Sequence, residues 1–187
     1  AKRHGPLALI QFDAHTDTWK SSNGLHEPAE LNHGTMFARA IEEGLIAPEN
    51  SVQVGIRTWV DDAMGMTIID NEAVDAASPA ELARRIGAIT QDRKCYVTVD
   101  IDCLDPAYAP GTGTPVAGGM TTLKLLQTLR RLSTLPVVGF DGAAPDVVAQ
   151  IHAAGGEPVA AVVDLVGSGA TVEMAINCVV KGGKVIV

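Results

Sequence analysis

Residues 9–17, LIQFDAHTD, decide the fold. A short apolar strand over 7–12 runs into Asp13, His15 and Asp17, three residues spaced by two. In extended backbone, side chains two apart point to the same side, so the spacing predicts two carboxylates and an imidazole converging on one small volume. Like charges that close must protonate or be neutralised by a cation. Residues 95–102, CYVTVDID, repeat the design: a β-branched run ends in Asp100 and Asp102. If both strands belong to one parallel sheet, their carboxyl ends share a rim, where open α/β folds place ligands. The expectation is one site with five metal-ligand candidates, Asp13, His15, Asp17, Asp100 and Asp102. Hard carboxylate oxygens with one imidazole suit Mn²⁺ better than the softer metals that prefer thiolates. The competing reading is a solvated loop after a strand, with Asp17 capping a helix.

Outward from these two stretches, strand and helix signals alternate. A polar loop covers 18–32, a helix roughly 34–43 and a β-branched run 51–56. Ser78, Pro79 and Glu81 sit at N-cap, N1 and N3 of a helix that carries Leu82, Ile86 and Ile89 at i, i+4, i+7. A Pro- and Gly-rich loop over 106–119 follows the second Asp-ending strand and is too long for a simple connection. Thr121 or Thr122 then caps a helix with Leu125, Leu129 and Leu132, and 137–140 makes another strand. This β, α, β, α order predicts a three-layer α/β/α fold with a mainly parallel sheet.

The chain has 187 residues, enough for one domain with a substantial core. Its 14 Lys and Arg against 22 Asp and Glu give a net charge of −8, which argues against a nucleic-acid surface. The absence of a run of eighteen apolar residues predicts no membrane span. Cys95, Cys103 and Cys178 are unevenly spaced in or near apolar runs and read as reduced core thiols of a cytoplasmic protein.

LIQFDAHTD, NHGTMF at 32–37 and TVDIDCLDPAYAPGTGTPVAGG at 98–119 resemble the ureohydrolase family of arginases and agmatinases, nearest its agmatinase branch. The resemblance spans 1–141 and implies an arginase-like fold, incomplete at both ends. It implies hydrolysis of agmatine to putrescine and urea through a hydroxide bridging two Mn²⁺ ions about 3.5–4 Å apart. A small guanidino compound would be the substrate, and the protein a homo-oligomer of trimers or hexamers. Guanidinobutyrase stays open as the nearest rival activity, and arginase is a weaker one. His33 corresponds to the family histidine that passes protons to the leaving amine, work suited to a group titrating near neutrality. A helix-start histidine bonded to backbone is the plain alternative. Asp105 serves either a turn or a metal, Trp19 either the substrate entrance or packing, and Gly111, Gly113 and Gly119 either a tight or a flexible loop. Thr114 and Pro115 suggest no chemistry of their own. His4, His26 and His152 carry no pattern.

Two elements that the resemblance calls for are not in this sequence. One is the histidine of an upstream Gly-Gly-Asp-His motif, the sixth metal ligand. The other is a glutamate that grips the guanidinium after the position of Asp141, where this chain reads GAAPDVVAQ. The expectation is weakened metal binding at one ion and little or no turnover. From residue 142 the chain turns Ala-, Val- and Gly-rich, and 161–187 resemble the coenzyme-binding half of medium-chain alcohol dehydrogenases. Strands over 159–164 and 184–187 would flank a helix over 171–180, a Rossmann-like β-α-β piece packed on the same sheet. The G-x-G-x-x-G fingerprint is missing, which argues against NAD(P) binding. An oxidoreductase remnant and an inactive chimera of two α/β fragments remain the readings from another class.

Overall fold

The computed structural model describes residues 4–19, 32–60, 62–137, 148–149, 159–163, 173, 177 and 179–186. β1 (Ala8–Phe12) is buried along its whole length, as a strand with neighbours on both edges and helices on both faces must be. It pairs in parallel with β2 (Val52–Ile56) on one side and with β4 (Cys95–Val99) on the other. β3 (Thr67–Asp70) extends β2 outward, giving the order β3-β2-β1-β4. Phe12 lies opposite Val99, so β1 and β4 end level with each other. The residues that follow them therefore emerge at one rim.

Alternation along the strands assigns the two faces. Ala8, Ile10 and Phe12, with Val52 and Val54, pack under Val74 of α2 (Asn71–Ala76), Leu82 and Ile86 of α3 (Pro79–Thr90), and Leu125 and Leu132 of α4 (Thr122–Leu132). Leu9 points to the other face and meets Phe37 of α1 (Met36–Glu42), Ile46 and Met66. Helices thus cover both faces, the three-layer arrangement that the sequence predicts. Burying side chains the size of Ile10, Phe12 or Leu82 contributes roughly 1.5–3 kcal/mol each.

The helix starts follow their caps. Ser78 Oγ accepts from the Glu81 amide at 3.2 Å with Pro79 at the first helical position. Thr121, not Thr122, caps α4, its hydroxyl accepting from Lys124 N at 3.1 Å. β3 and α2 are absent from the sequence reading. A four-residue edge strand of mixed burial and a six-residue helix are too short to carry a periodicity; α2 is marked only by its cap, Asp70, which accepts from Ala73 N at 2.8 Å.

Val137 pairs with Cys95 in a parallel bridge, the first residue of the strand expected over 137–140; the rest of that strand lies outside the described residues. So do the loop over 20–31 with His26, and His152 and Cys178. The chain divides near residue 138 into two compact units. In the second, β5 (Val159–Val163) and β6 (Val179–Ile186) pair in parallel, and Glu173 and Asn177 between them are helical. β6 corrects the expected helix over 171–180 and the strand expected to begin at 184. Val179 and Val180 already belong to the strand, and Gly182–Gly183 sit where the register shifts. Glycines inside a strand commonly mark such an irregularity. Among the described residues, no helix is long and apolar enough to cross a membrane.

Candidate metal centre

The ladder of β1 continues one step past Phe12, where Asp13 N donates to Val54 O at 3.1 Å. The chain then turns. Asp13 Oδ1 accepts from the His15 amide at 2.7 Å, which folds the backbone back over the carboxylate. Asp17 completes the turn at φ 51°, a left-handed conformation that a residue with a side chain adopts at a cost, of the kind found at functional sites. Its carbonyl accepts from Phe37 N at 3.1 Å, which fixes the turn to α1.

On the neighbouring strand, Asp100 N donates to Phe12 O at 2.8 Å. Ile101–Cys103 then form a 3₁₀ turn capped by Asp100, whose Oδ1 accepts from Asp102 N at 2.9 Å. This turn swings the Asp102 side chain across to β1. Asp102 Oδ1 accepts from Ala14 N at 3.0 Å, and Oδ2 faces His15 Nδ1 at 2.9 Å and Thr114 Oγ1 at 3.2 Å. Asp13, His15 and Asp102 consequently offer ligand atoms within 4.8 Å of one another. Asp17 and Asp100 stand beside this trio without joining it. Both are close enough for their charges to be felt: burial first, then the charges of Asp13 and Asp100, push Asp17 up to about 8. Burial also raises Asp13 and Asp100.

In the metal-free protein one proton carries the compensating positive charge. Hydrogen bonds to Asp102 and then Asp13 raise His15 to about 10, so its imidazole is a cation at neutral pH. Burial pushes Asp102 upward, but the bonds from His15 and from the Ala14 amide outweigh that and bring it down to about 2. Four carboxyl groups lie in or beside a cluster whose nearest balancing charge is one imidazolium. The donor set fits a divalent ion that prefers hard oxygens with one nitrogen. Cys103 is no competitor, since burial lifts its thiol to about 12.

The remaining candidates separate. His33 lies exposed in the turn before α1 and outside the trio. Its neighbour Gly34 lies under the Trp19 ring, where a Cβ would meet Cε3 at 2.7 Å. Trp19 in turn presents its ring edge-on to His15, with centroids 6.3 Å apart. Asp105 serves a turn: its carboxylate accepts from the amides of Ala107, Gly118 and Gly119, which lowers its pKa. Gly119 is dictated by space, because a Cβ there would lie 2.4 Å from Asp105 N.

Four participants escaped the sequence reading. Thr114, read as chemically idle, donates to the Asp102 carboxylate. Arg57 donates to the carbonyls of Gly55, Asp102 and Val116, tying the end of β2 to the loop after β4. Gln11 and Gln53 lie fully buried behind Asp13. Their signal was a polar residue inside each of two apolar strands.

Comparison with known proteins follows the same residues. The Arginase family model matches residues 1–145. The agmatinase of Chromobacterium violaceum is 52% identical over 147 residues, covering 75% of this chain and 43% of its own length. That of Proteus mirabilis is 50% identical, covering 75% and 44%. The chain spans less than half the length of these curated relatives. Among solved structures, a hypothetical agmatinase from Burkholderia thailandensis matches with a TM-score of 0.69 at 48% identity, over 74% of this chain and 43% of that one. Proclavaminate amidino hydrolase from Streptomyces clavuligerus matches at 0.66 and 40%, over 75% and 47%. With its family model covering both ligand-bearing strands and most of the sequence, the chain belongs to the arginase family.

Proposed function

We propose that this chain carries the metal-binding part of a ureohydrolase that hydrolyses agmatine to putrescine and urea with two Mn²⁺ ions. The observation that carries the reading is the meeting of Asp13, His15 and Asp102 at the level ends of adjacent parallel strands. Relatives about half identical to the chain bear the name agmatinase. Asp13, His15 and Asp102 would hold the metal, with Asp17 and Asp100 completing the ligand set. Bound there, divalent ions supply the positive charge that makes water nucleophilic at neutral pH. The residues of the chain do the rest. His33 hands a proton to the nitrogen that leaves as the carbon–nitrogen bond breaks, the part that the family resemblance gives it.

The test is Mn²⁺-dependent urea release from agmatine, set against 4-guanidinobutyrate and arginine. Agmatine should be hydrolysed fastest, and a preference for either rival would replace the substrate. Turnover is expected to be slow, because the stretch after Asp141 reads GAAPDVVAQ and the sequence holds no glutamate between Glu81 and Glu157. The ranking of substrates is therefore the decisive readout. A trimeric or hexameric assembly belongs to the same proposal and is checked by light scattering. A cytoplasmic location is supported by the buried free thiols Cys95 and Cys103. For residues 142–187 the Rossmann-like β-α-β reading is supported by the parallel pairing of β5 and β6.

A further inference from the structure

Gln11 and Gln53 face each other across β1 and β2 in register, on the sheet face that Leu9 shares with α1. Both are fully buried, an unfavourable place for an amide unless its hydrogens are used. All four are. Gln11 Nε2 donates to Asp13 Oδ2 at 2.8 Å and to His15 O at 3.2 Å. Gln53 Nε2 donates to Gln11 Oε1 at 2.7 Å and to Thr16 O at 2.5 Å. The orientation of each amide follows from chemistry, since each nitrogen faces two groups that can only accept. Gln53 Oε1, by contrast, is buried without a partner, a desolvation cost that stability alone does not explain.

We propose that Gln53 and Gln11 are positioning residues for the metal centre: a buried relay that runs from β2 through β1 and holds both the Asp13 carboxylate and the backbone of the ligand turn. Gln53 fixes Gln11. Gln11 then fixes which Asp13 oxygen faces the sheet and leaves Oδ1 toward His15. Partners of this kind, bonded to a ligand rather than to the ion, set ligand orientation and metal affinity. The inference rests on the metal reading above, and its test separates the two.

The experiment uses the 187-residue chain with Gln11→Met and Gln53→Met, apolar replacements of similar length. Mn²⁺ affinity is measured by calorimetry, His15 amide exchange by NMR in the metal-free protein, and folding by the urea midpoint. Gln11→Met should weaken Mn²⁺ binding about 10–100-fold and speed His15 exchange, both beyond what the lower urea midpoint from the orphaned Gln53 amide accounts for. Gln53→Met should shift both in the same direction by less. Unchanged Mn²⁺ affinity in Gln11→Met overturns the proposal, as does a loss that merely tracks a lower urea midpoint. If the parent chain binds no Mn²⁺, the metal reading fails instead, and His15 exchange alone decides whether Gln11 holds Asp13. Should Gln11→Met not fold, Gln53→Met decides by the same criteria, because it leaves the Gln11–Asp13 contact in place.

Discussion

After β1 the chain reads Asp13–Ala14–His15, and after β4 it reads Asp100–Ile101–Asp102, the same spacing at the level ends of neighbouring strands. The two turns use that spacing differently. In the first, the leading residue is the ligand candidate held in place: Asp13 is buried, accepts from the His15 amide and is backed by Gln11. In the second, the leading residue is half-buried and caps a 3₁₀ turn, and the trailing residue, Asp102, crosses to the partner strand. Neither turn continues the extended backbone that would put side chains two apart on one side. Convergence arises from tight turns that let a carboxylate bind the amide two residues on, the short-range habit of aspartate.

This asymmetry can be broken at Asp102. In the metal-free chain Asp102→Ala removes the nearer of the two carboxylates on the part-buried His15 charge and the acceptor of the Ala14 amide, and should cost about 2–4 kcal/mol by urea unfolding. A loss under about 1 kcal/mol, the scale of an exposed ion pair, would mean that the two turns are not joined through Asp102.

Protons sharpen the same contrast. His15, raised to about 10, must release its proton to bind metal, and Asp17, raised to about 8, must do so as well if it joins the ligand set, so Mn²⁺ affinity should rise at least about tenfold per pH unit from pH 6 to 8. Calorimetry in buffers of different ionisation enthalpy should show at least one proton released per ion, and a pH-independent affinity would contradict the His15–Asp102 pair. The sign for stability is opposite. A histidine whose folded pKa exceeds the unfolded value near 6.5 stabilises fully below that value, and the contribution disappears as pH rises through about 10. Asp17, raised to about 8, acts in the same direction between about pH 4 and 8. The metal-free chain should thus lose stability from pH 5 to 9, whereas Mn²⁺-loaded protein should not.

The loop behind the second turn gives a smaller effect. Gly119→Ala drives a Cβ into the Leu104–Asp105 backbone, and should cost about 1–3 kcal/mol by thermal unfolding. Smallest is Asp100→Ala in the metal-free chain, a lost cap costing about 1 kcal/mol. If Asp100→Ala costs as much as Asp102→Ala, the assignment of cap to one and bridge to the other is wrong.

Much of the frame was legible beforehand because its signals are local. Ser78 and Thr121 announce helices that bury Leu82, Ile86, Leu125 and Leu132, and the two Asp-ending strands lie side by side as expected. β3 and α2 were not legible, being too short to show a period, and β6 was misjudged because glycines inside a strand look like its end. Within the site, residue types pointed to Asp13, His15 and Asp102. Arg57, Thr114 and the Gln11–Gln53 pair act across sequence gaps of 12 to 60 residues, and no local pattern reports such a gap.

By itself the sequence determined that two apolar strands end in acids, and that their chemistry suits a hard divalent ion. That much follows from side-chain chemistry and from the two-residue repeat of a strand. Only the tertiary structure decided which acids meet. Parallel pairing set β1 and β4 level, the 3₁₀ turn at Asp100 carried Asp102 to His15, and two buried amides from different strands came to support Asp13. Those choices depend on backbone turning and on contacts between strands some 40 to 90 residues apart, where hydrogen-bond partners are set by the fold rather than by neighbours in the chain.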